Sequence, residues 1–351
     1  MDINNNKIGI SIIIPTYNNS QTINKALDSV LDSKYDTLQI IVVDDGSQDG
    51  TSTLVKKYQE KFSCVEYIYQ ENHGVSVARN VGLQKSNKEY VMFLDSDDSL
   101  LKDGLNRVFA TLENQRSDLY VFDYISKIDE SSIYHKMHLT SGKVSQQELV
   151  SAFLKTDDLN ASWGKVFSRE LLVDNAIEFP AGVKVGEDAI FNEKVLSCIS
   201  WATYIPKPLV LYDENESTAT KKPIDSFDDQ EKLFHAKTEI AEKFPKLQLR
   251  EEFYTKYLGD FLANLSNCPS SNFFSLCKEI GRYSFIKELL NYGYSNLSKR
   301  RKMQILLIKS KNWQLLYLEL KLESLAHKIS VQSCRFWLKL NQKHYQELKG
   351  Y

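Results

Sequence analysis

Short apolar runs alternate with amphipathic stretches through the first hundred residues. Ile10–Ile14 is a β-branched run followed by Pro15, and it predicts a first strand that the proline stops. Thr16–Asn19 follows as a loop. Ser20 is placed to cap a helix whose apolar positions Ile23, Ala26, Leu27, Val30 and Leu31 share one face. Gln39–Val43 predicts a second strand, Thr51–Phe62 a second helix and Val65–Tyr69 a third strand. Gly74–Leu83 reads as a short helix and Tyr90–Leu94 as a fourth strand. Strand then helix, three times over, predicts a parallel sheet with helices on its faces.

The next hundred residues predict a mixed set of elements. Helices are expected over Lys102–Glu113, Gln146–Leu154, Ser168–Val173 and from Gly186 to about Cys198. Strands are expected over Leu119–Tyr124 and Ala202–Tyr212, with Ile133–Leu139 as an antiparallel edge. Asp213–Lys222 is polar and aperiodic, and marks a loop or a domain boundary. Beyond Ser226 every stretch suits a helical period: Phe227–Phe244, Leu247–Leu265, Phe273–Tyr292 and Leu297 onward. The division predicted is residues 1–222, with halves at about 8–100 and 101–222, and a helical region at 223–351.

Acids gather where the strands end. Tyr90–Leu94 runs into Asp95-Ser96-Asp97-Asp98, and the second strand into Asp44-Asp45-Gly46-Ser47. Carboxylates crowded at a sheet edge repel one another and lose hydration, and a hard divalent cation relieves both costs. A solvated helix cap is the plain alternative for the first cluster, and a tight Asp-Gly turn for the second. In parallel sheets ligands sit beyond the C-terminal ends of the strands. Pro15-Thr16-Tyr17, Asp44-Asp45 and Asp95–Asp98 all fall at that edge. Asp44 and Asp45 can accept hydrogen bonds from a base or ribose, and Tyr17 can offer a ring face to a base. Arg79, about one helical turn past Gly74, is placed to meet a diphosphate, or else to form a surface ion pair. His73 reads as a loop residue.

Composition narrows the classes. At 351 residues, 42% apolar and 26% charged, this is an ordinary folded chain with room for two domains. A net charge of −2 gives no argument for a nucleic-acid partner. Five cysteines without a Cys-x-x-Cys pair argue against a thiolate zinc site or a disulfide framework and fit a reducing cytosol. The N-terminus is polar, and no apolar run approaches the length of a bilayer span.

Four motifs stand in order: Ser11-Ile-Ile-Ile-Pro-Thr-Tyr-Asn18, Val43-Asp-Asp-Gly-Ser47, Ala78-Arg-Asn80 and Phe93-Leu-Asp-Ser-Asp-Asp98. Together they resemble the family 2 glycosyltransferases of the GT-A fold, in particular non-processive ones that build bacterial surface polysaccharide. The likeness runs more loosely to about residue 212, through Trp163-Gly164-Lys165 and Glu187-Asp188. The resemblance implies an α/β nucleotide-sugar-binding fold with a mostly parallel central sheet, and inverting transfer from a nucleotide-sugar, usually UDP-linked. On that reading Pro15, Tyr17 and Asp45, with Asp44, hold the nucleoside, and Arg79 lies near the diphosphate. Asp95 faces the ribose, with Ser96 in the same donor-binding set. Asp97, helped by Asp98, holds Mn²⁺ or Mg²⁺. Asp188 is the general base that activates an acceptor hydroxyl, with Glu187 beside it to orient it or cap the helix.

Trp163 is expected to stack on an acceptor sugar or to pack in the core. Lys165 is expected to pair with a phosphate of a lipid-linked acceptor, or to lie on the surface. Gln332–Trp337 imitates the Gln-x-x-Arg-Trp of processive synthases, but with one residue too many and too late in the chain. Lys299–Lys302 and a series of later lysines interleave with Leu, Trp and Tyr. That pattern suits docking on an anionic membrane, a bundle on the catalytic domain, or a homo-oligomer interface. The expected setting is cytoplasmic, peripheral to the inner face of the cell membrane if those helices dock there. Two other classes remain open: a nucleotidyltransferase on the same fold, and a sugar-nucleotide-binding scaffold without turnover.

Overall fold

The four apolar runs of the first hundred residues become neighbours in one sheet. The computed structural model describes residues 8–32, 35–128, 131–213, 226–291 and 297–325. β1 (Ile10–Thr16) lies between β2 (Leu38–Asp44) and β4 (Tyr90–Phe93), and β3 (Val65–Tyr69) lies outside β2, all four parallel. α1 (Ile23–Leu31), α2 (Thr51–Lys61) and α3 (Val75–Lys85) connect them. Every residue of β1 and β2 is buried, as strands covered on both faces must be.

The sheet continues through β5 (Ser99–Leu100), α4 (Gly104–Asn114), β6 (Leu119–Ile128), β7 (Ser131–His135), β8 (Gly142–Ser145), α5 (Gln146–Lys155) and β9 (Lys165–Ser168). α6 (Arg169–Asp174), α7 (Glu187–Cys198) and β10 (Trp201–Asp213) complete it. The strand order is β3-β2-β1-β4-β9-β6-β10-β5, with β7 on β6 and β8 on β10. β9 is antiparallel to both β4 and β6, so two reversals leave β6 and the parallel β10 running in the direction of β1.

Two local expectations shift. Pro15 does not end β1: it pairs with Val43, while the β1–β4 register stops at Phe93, so the missing N–H breaks no pair there. Ser20 does not cap α1, which begins after Thr22; the Ser20 N–H donates instead to Asp49. The helix α3 is seated unusually close to the sheet. A Cβ at Gly82 would stand 2.3 Å from Ile13 Cγ2, so only glycine permits this approach.

The chain divides into Met1–Lys221 with Lys232–Leu249, and Lys222–Glu231 with Arg250–Tyr351. The boundary therefore differs from a cut at 222, because most of α8 (Asp228–Lys243) groups with the first unit. Lys237 explains it: buried, its Nζ donates to the Phe153 carbonyl and lies over the Phe153 ring. The polar stretch after Asp213 lies outside the described residues, as does Gln332–Trp337.

The second unit is helical: α9 (Arg250–Asn267), α10 (Ser270–Glu279), α11 (Ser284–Asn291), α12 (Lys299–Lys309) and a helix over 313–325. The single helix expected over Phe273–Tyr292 breaks at a 3₁₀ turn, Ile280–Arg282. Phe261, Leu262, Phe285, Ile286, Ile305 and Leu316 are among its buried core. Among the described residues no helix is long and apolar enough to cross a membrane.

Candidate active site

One edge of the sheet collects the candidate chemistry. β1 ends at Thr16, β2 at Asp44, β3 at Tyr69, β4 at Phe93 and β10 at Asp213, and all five strands run the same way. At the first of these ends Tyr17 is 48% exposed, and at the third Tyr69 is 59% exposed. Tyr69 escaped the sequence reading because an aromatic at a strand end looks like ordinary sheet composition.

Arg79 is the junction of the site. Its Nη2 donates to Asp95 at 2.9 Å, and its Nη1 donates to Asp188 at 2.7 Å and to Glu187 at 3.1 Å. The guanidinium is buried and lies 5.1 Å from the Phe179 ring centroid. It is therefore no surface pair. Three carboxylates from two other segments draw it inward, since a buried charge must be paired. The acids in turn hold its proton more firmly than usual.

Asp188 is fixed on its other side too. Its Oδ2 accepts the Ser162 N–H at 3.1 Å, and its backbone carbonyl accepts from Asn192 Nδ2 at 2.9 Å. Asn192 also donates to the carbonyls of Asn160 and Ala161, which fastens α7 to the 160–162 turn. Gly186 caps α7 with φ +90°, a conformation that L side chains rarely adopt, and so delivers both acids into the first turn. Burial raises the Asp188 pKa, with Arg79 opposing. Burial and Asp188 push Glu187 up to about 7.

A second group of acids has no such cation. Burial and the charge of Asp95 raise Asp97 to about 6 and Asp98 to about 9. Asp213 contributes repulsion to both. Asp98 Oδ1 accepts the Asp213 N–H at 3.0 Å, while Oδ2 is buried without a hydrogen-bond partner. Among the described residues no Lys or Arg pairs with Asp97 or Asp98, and no three His, Cys, Asp or Glu side chains converge to hold a metal by themselves. Asp213 was missed because sequence reading placed it at the start of a loop.

Other expected contacts are overturned by burial. Asp44 is sealed: its Oδ1 accepts the Ser47 N–H and its Oδ2 accepts the Tyr67 hydroxyl. Ser96 is turned inward, its Oγ accepting from Asn19 Nδ2. Lys165 is neither on the surface nor free for a phosphate. It is 1% exposed, its Nζ donates to the Ala161 carbonyl, and burial lowers its pKa to about 8. Asp45 accepts from Gln70 Nε2 and the His73 N–H through Oδ1, and from the Gly74 N–H at 2.8 Å through Oδ2. It therefore clamps the start of α3, and its Oδ2 accepts one hydrogen bond where its Oδ1 accepts two. Trp163 is half-buried, stacked on Tyr212 at 5.3 Å and edge-on to Tyr124. That leaves Trp163 a core contact with part of its surface open.

Comparison with known proteins gives this arrangement a lineage. Residues 11–174 match the model of glycosyl transferase family 2. GlyA of Streptococcus pneumoniae is 31% identical over 213 residues, 58% of this chain and 30% of GlyA. The chain thus spans less than a third of that relative. EpsH of Bacillus subtilis, a putative glycosyltransferase, is 23% identical over 81% of this chain and 82% of its own. The crystal structure of Staphylococcus aureus TarS 1–349 in complex with UDP-GlcNAc superposes with a TM-score of 0.66 at 21% identity, covering 91% of this chain and 92% of that one. The likeness to glycosyl transferase family 2 thus covers residues 11–174, a little under half of the chain, and the sheet has the GT-A fold seen in that TarS structure.

Proposed function

We propose that the first unit transfers one sugar from a nucleotide-sugar, a UDP-sugar, to a hydroxyl of a glycan or lipid-linked acceptor, in surface polysaccharide or glycoconjugate synthesis. The reading rests above all on Arg79, which ties the acid after β4 to the acids that open α7. The fold shared with a UDP-GlcNAc-bound structure supports a UDP-sugar at this edge. The setting is cytoplasmic, where nucleotide-sugars are made.

In this reaction the acceptor oxygen bonds to the anomeric carbon as the bond from that carbon to the diphosphate breaks. The diphosphate leaves with the electron pair, and the hydroxyl proton passes to Asp188. Attack opposite the leaving group inverts the centre. Burial raises the Asp188 pKa and Arg79 opposes that rise, a balance that suits a carboxylate meant to take up a proton. Glu187, titrating near neutrality beside it, takes part in the same charge balance. Tyr17 and Tyr69 offer ring faces to the base, and Asp45 the remaining lone pair of its Oδ2.

The residues fit a divalent cation. Mg²⁺-like ions take one or two protein carboxylates and complete their shell with substrate phosphate oxygens and water. Asp97 and the unpartnered Oδ2 of Asp98 would hold Mn²⁺ or Mg²⁺, which when bound supplies positive charge at the leaving diphosphate.

UDP release across a panel of UDP-sugars and acceptors tests the proposal. Activity should vanish with EDTA, and Asp188→Asn should lower kcat by about 100-fold or more while UDP still raises Tm. Wild-type turnover in Asp188→Asn, or no thermal shift with any UDP-sugar and Mn²⁺, sinks it. Pyrophosphate release from UTP and a sugar phosphate would assign a nucleotidyltransferase instead.

A further inference from the structure

The helix over 313–325 has two apolar faces where a surface helix needs one. Leu316 and Leu320 face inward, at 0% and 1% exposure. Leu315, Leu318, Leu322 and Leu325 are 51–61% exposed. Their spacing is three, four, three, the alternation of the a and d positions of a heptad, and it continues in the sequence to Ile329. A helix seated by its inner leucines alone has no need of an outer row, and four leucines in register leave a contiguous apolar stripe in water.

The charges around the stripe say what kind of surface covers it. Arg300 pairs with Glu319 and Glu323, and Arg301 pairs with Glu323 at 3.4 Å. Lys321 donates to the carbonyls of Ser266 and Cys268, at 2.6 and 3.2 Å. Arg300, Arg301 and Lys321 are thus engaged within the unit, and the acids beside the stripe, Glu319 and Glu323, are neutralised there. An in-plane membrane helix needs a basic border to its apolar face. A neutral border instead suits a second helix with the same repeat, which a second copy of this chain supplies.

We propose that Leu315, Leu318, Leu322 and Leu325 form an isologous contact with the same stripe of a second copy of this chain. The contact is self-complementary: each leucine row inserts between the leucines of its partner. Described residues 313–325 span only about 20 Å of helix, so the association is weak and concentration-dependent.

Sedimentation velocity on the full chain, up to about 100 μM, tests this by mass action. The mass should rise with concentration toward twice the 40.5 kDa chain. The double variant Leu318→Glu/Leu322→Glu should remain at the single-chain mass, with unchanged circular dichroism because both side chains are exposed. Leu318→Met/Leu322→Met should keep the association. A wild-type chain that stays monomeric throughout overturns the proposal, as does a doubling that the glutamates leave intact. Flotation of monomeric wild type with anionic vesicles, lost in the glutamate variant, would assign the stripe to a membrane and also overturn it.

Discussion

Two groups of carboxylates meet at one sheet edge, and the fold treats them oppositely. Asp95, Glu187 and Asp188 surround Arg79, which supplies their positive charge from within. Asp97 and Asp98 lie two and three residues beyond Asp95 and are given no cation, only burial and mutual repulsion. The first group is a finished piece of architecture. The second is costly as it stands, since burial and like charge raise the pKa of both acids. Among the described residues, the difference separates acids whose charge is balanced from within the fold from acids whose charge is not.

The most severe way to break this contrast is to remove the internal cation. Arg79→Met leaves three half-buried acids without their shared cation, and the loss should be about 3 kcal/mol in chemical denaturation. Turnover should disappear with it. Asp97→Asn should do the reverse: stability unchanged or improved by about 1 kcal/mol, since a repelling charge is gone, but the Mn²⁺-dependent part of the UDP thermal shift lost.

A pH experiment sharpens the comparison on the Arg79 side. The Glu187 pKa, about 7, lies above the ordinary carboxylate value, so the native state binds its proton more tightly than the unfolded chain does. Its contribution to stability is complete below about pH 4.5 and is lost as pH rises through 7. Glu187→Gln should remove a slope of at most about 1.4 kcal/mol per pH unit from that window. Lys165→Met should have the smallest effect. The Lys165 pKa is lowered, so its charge costs stability below pH 8 and the cost lifts as pH rises from 8 toward 10.5. The variant should lose that rise and shift stability at pH 7 by about 1–2 kcal/mol or less.

Strands and acids were legible in the sequence because both leave a local signature: runs of β-branched residues, and carboxylates where the runs stop. Partners and depth leave none. Lys165 follows Trp163-Gly164 and precedes Val166 and Phe167, so its neighbours mark a strand. That strand lies between β4 and β6, and Lys165, Val166 and Phe167 are all buried. Arg79 is separated by more than 100 residues from Glu187 and Asp188, and no period in the sequence announces such a pair. Asp44 and Asp45 look alike in sequence, yet one is sealed by Tyr67 and the other clamps α3. The basic C-terminal stretch hides its partners in the same way: Arg300 and Arg301 find Glu319 and Glu323 only in the folded unit.

The fit of α3 against β1 has a consequence for anyone mutating this protein. Residue 82 lies one turn beyond Arg79 on the same buried face of α3, and it has less than a methyl group's clearance from Ile13. Even alanine there must lift the helix or displace the isoleucine, and lifting it carries the guanidinium away from every acid it serves. A screen scored on turnover alone would file such a substitution among the chemical groups, although the lesion is one of carpentry.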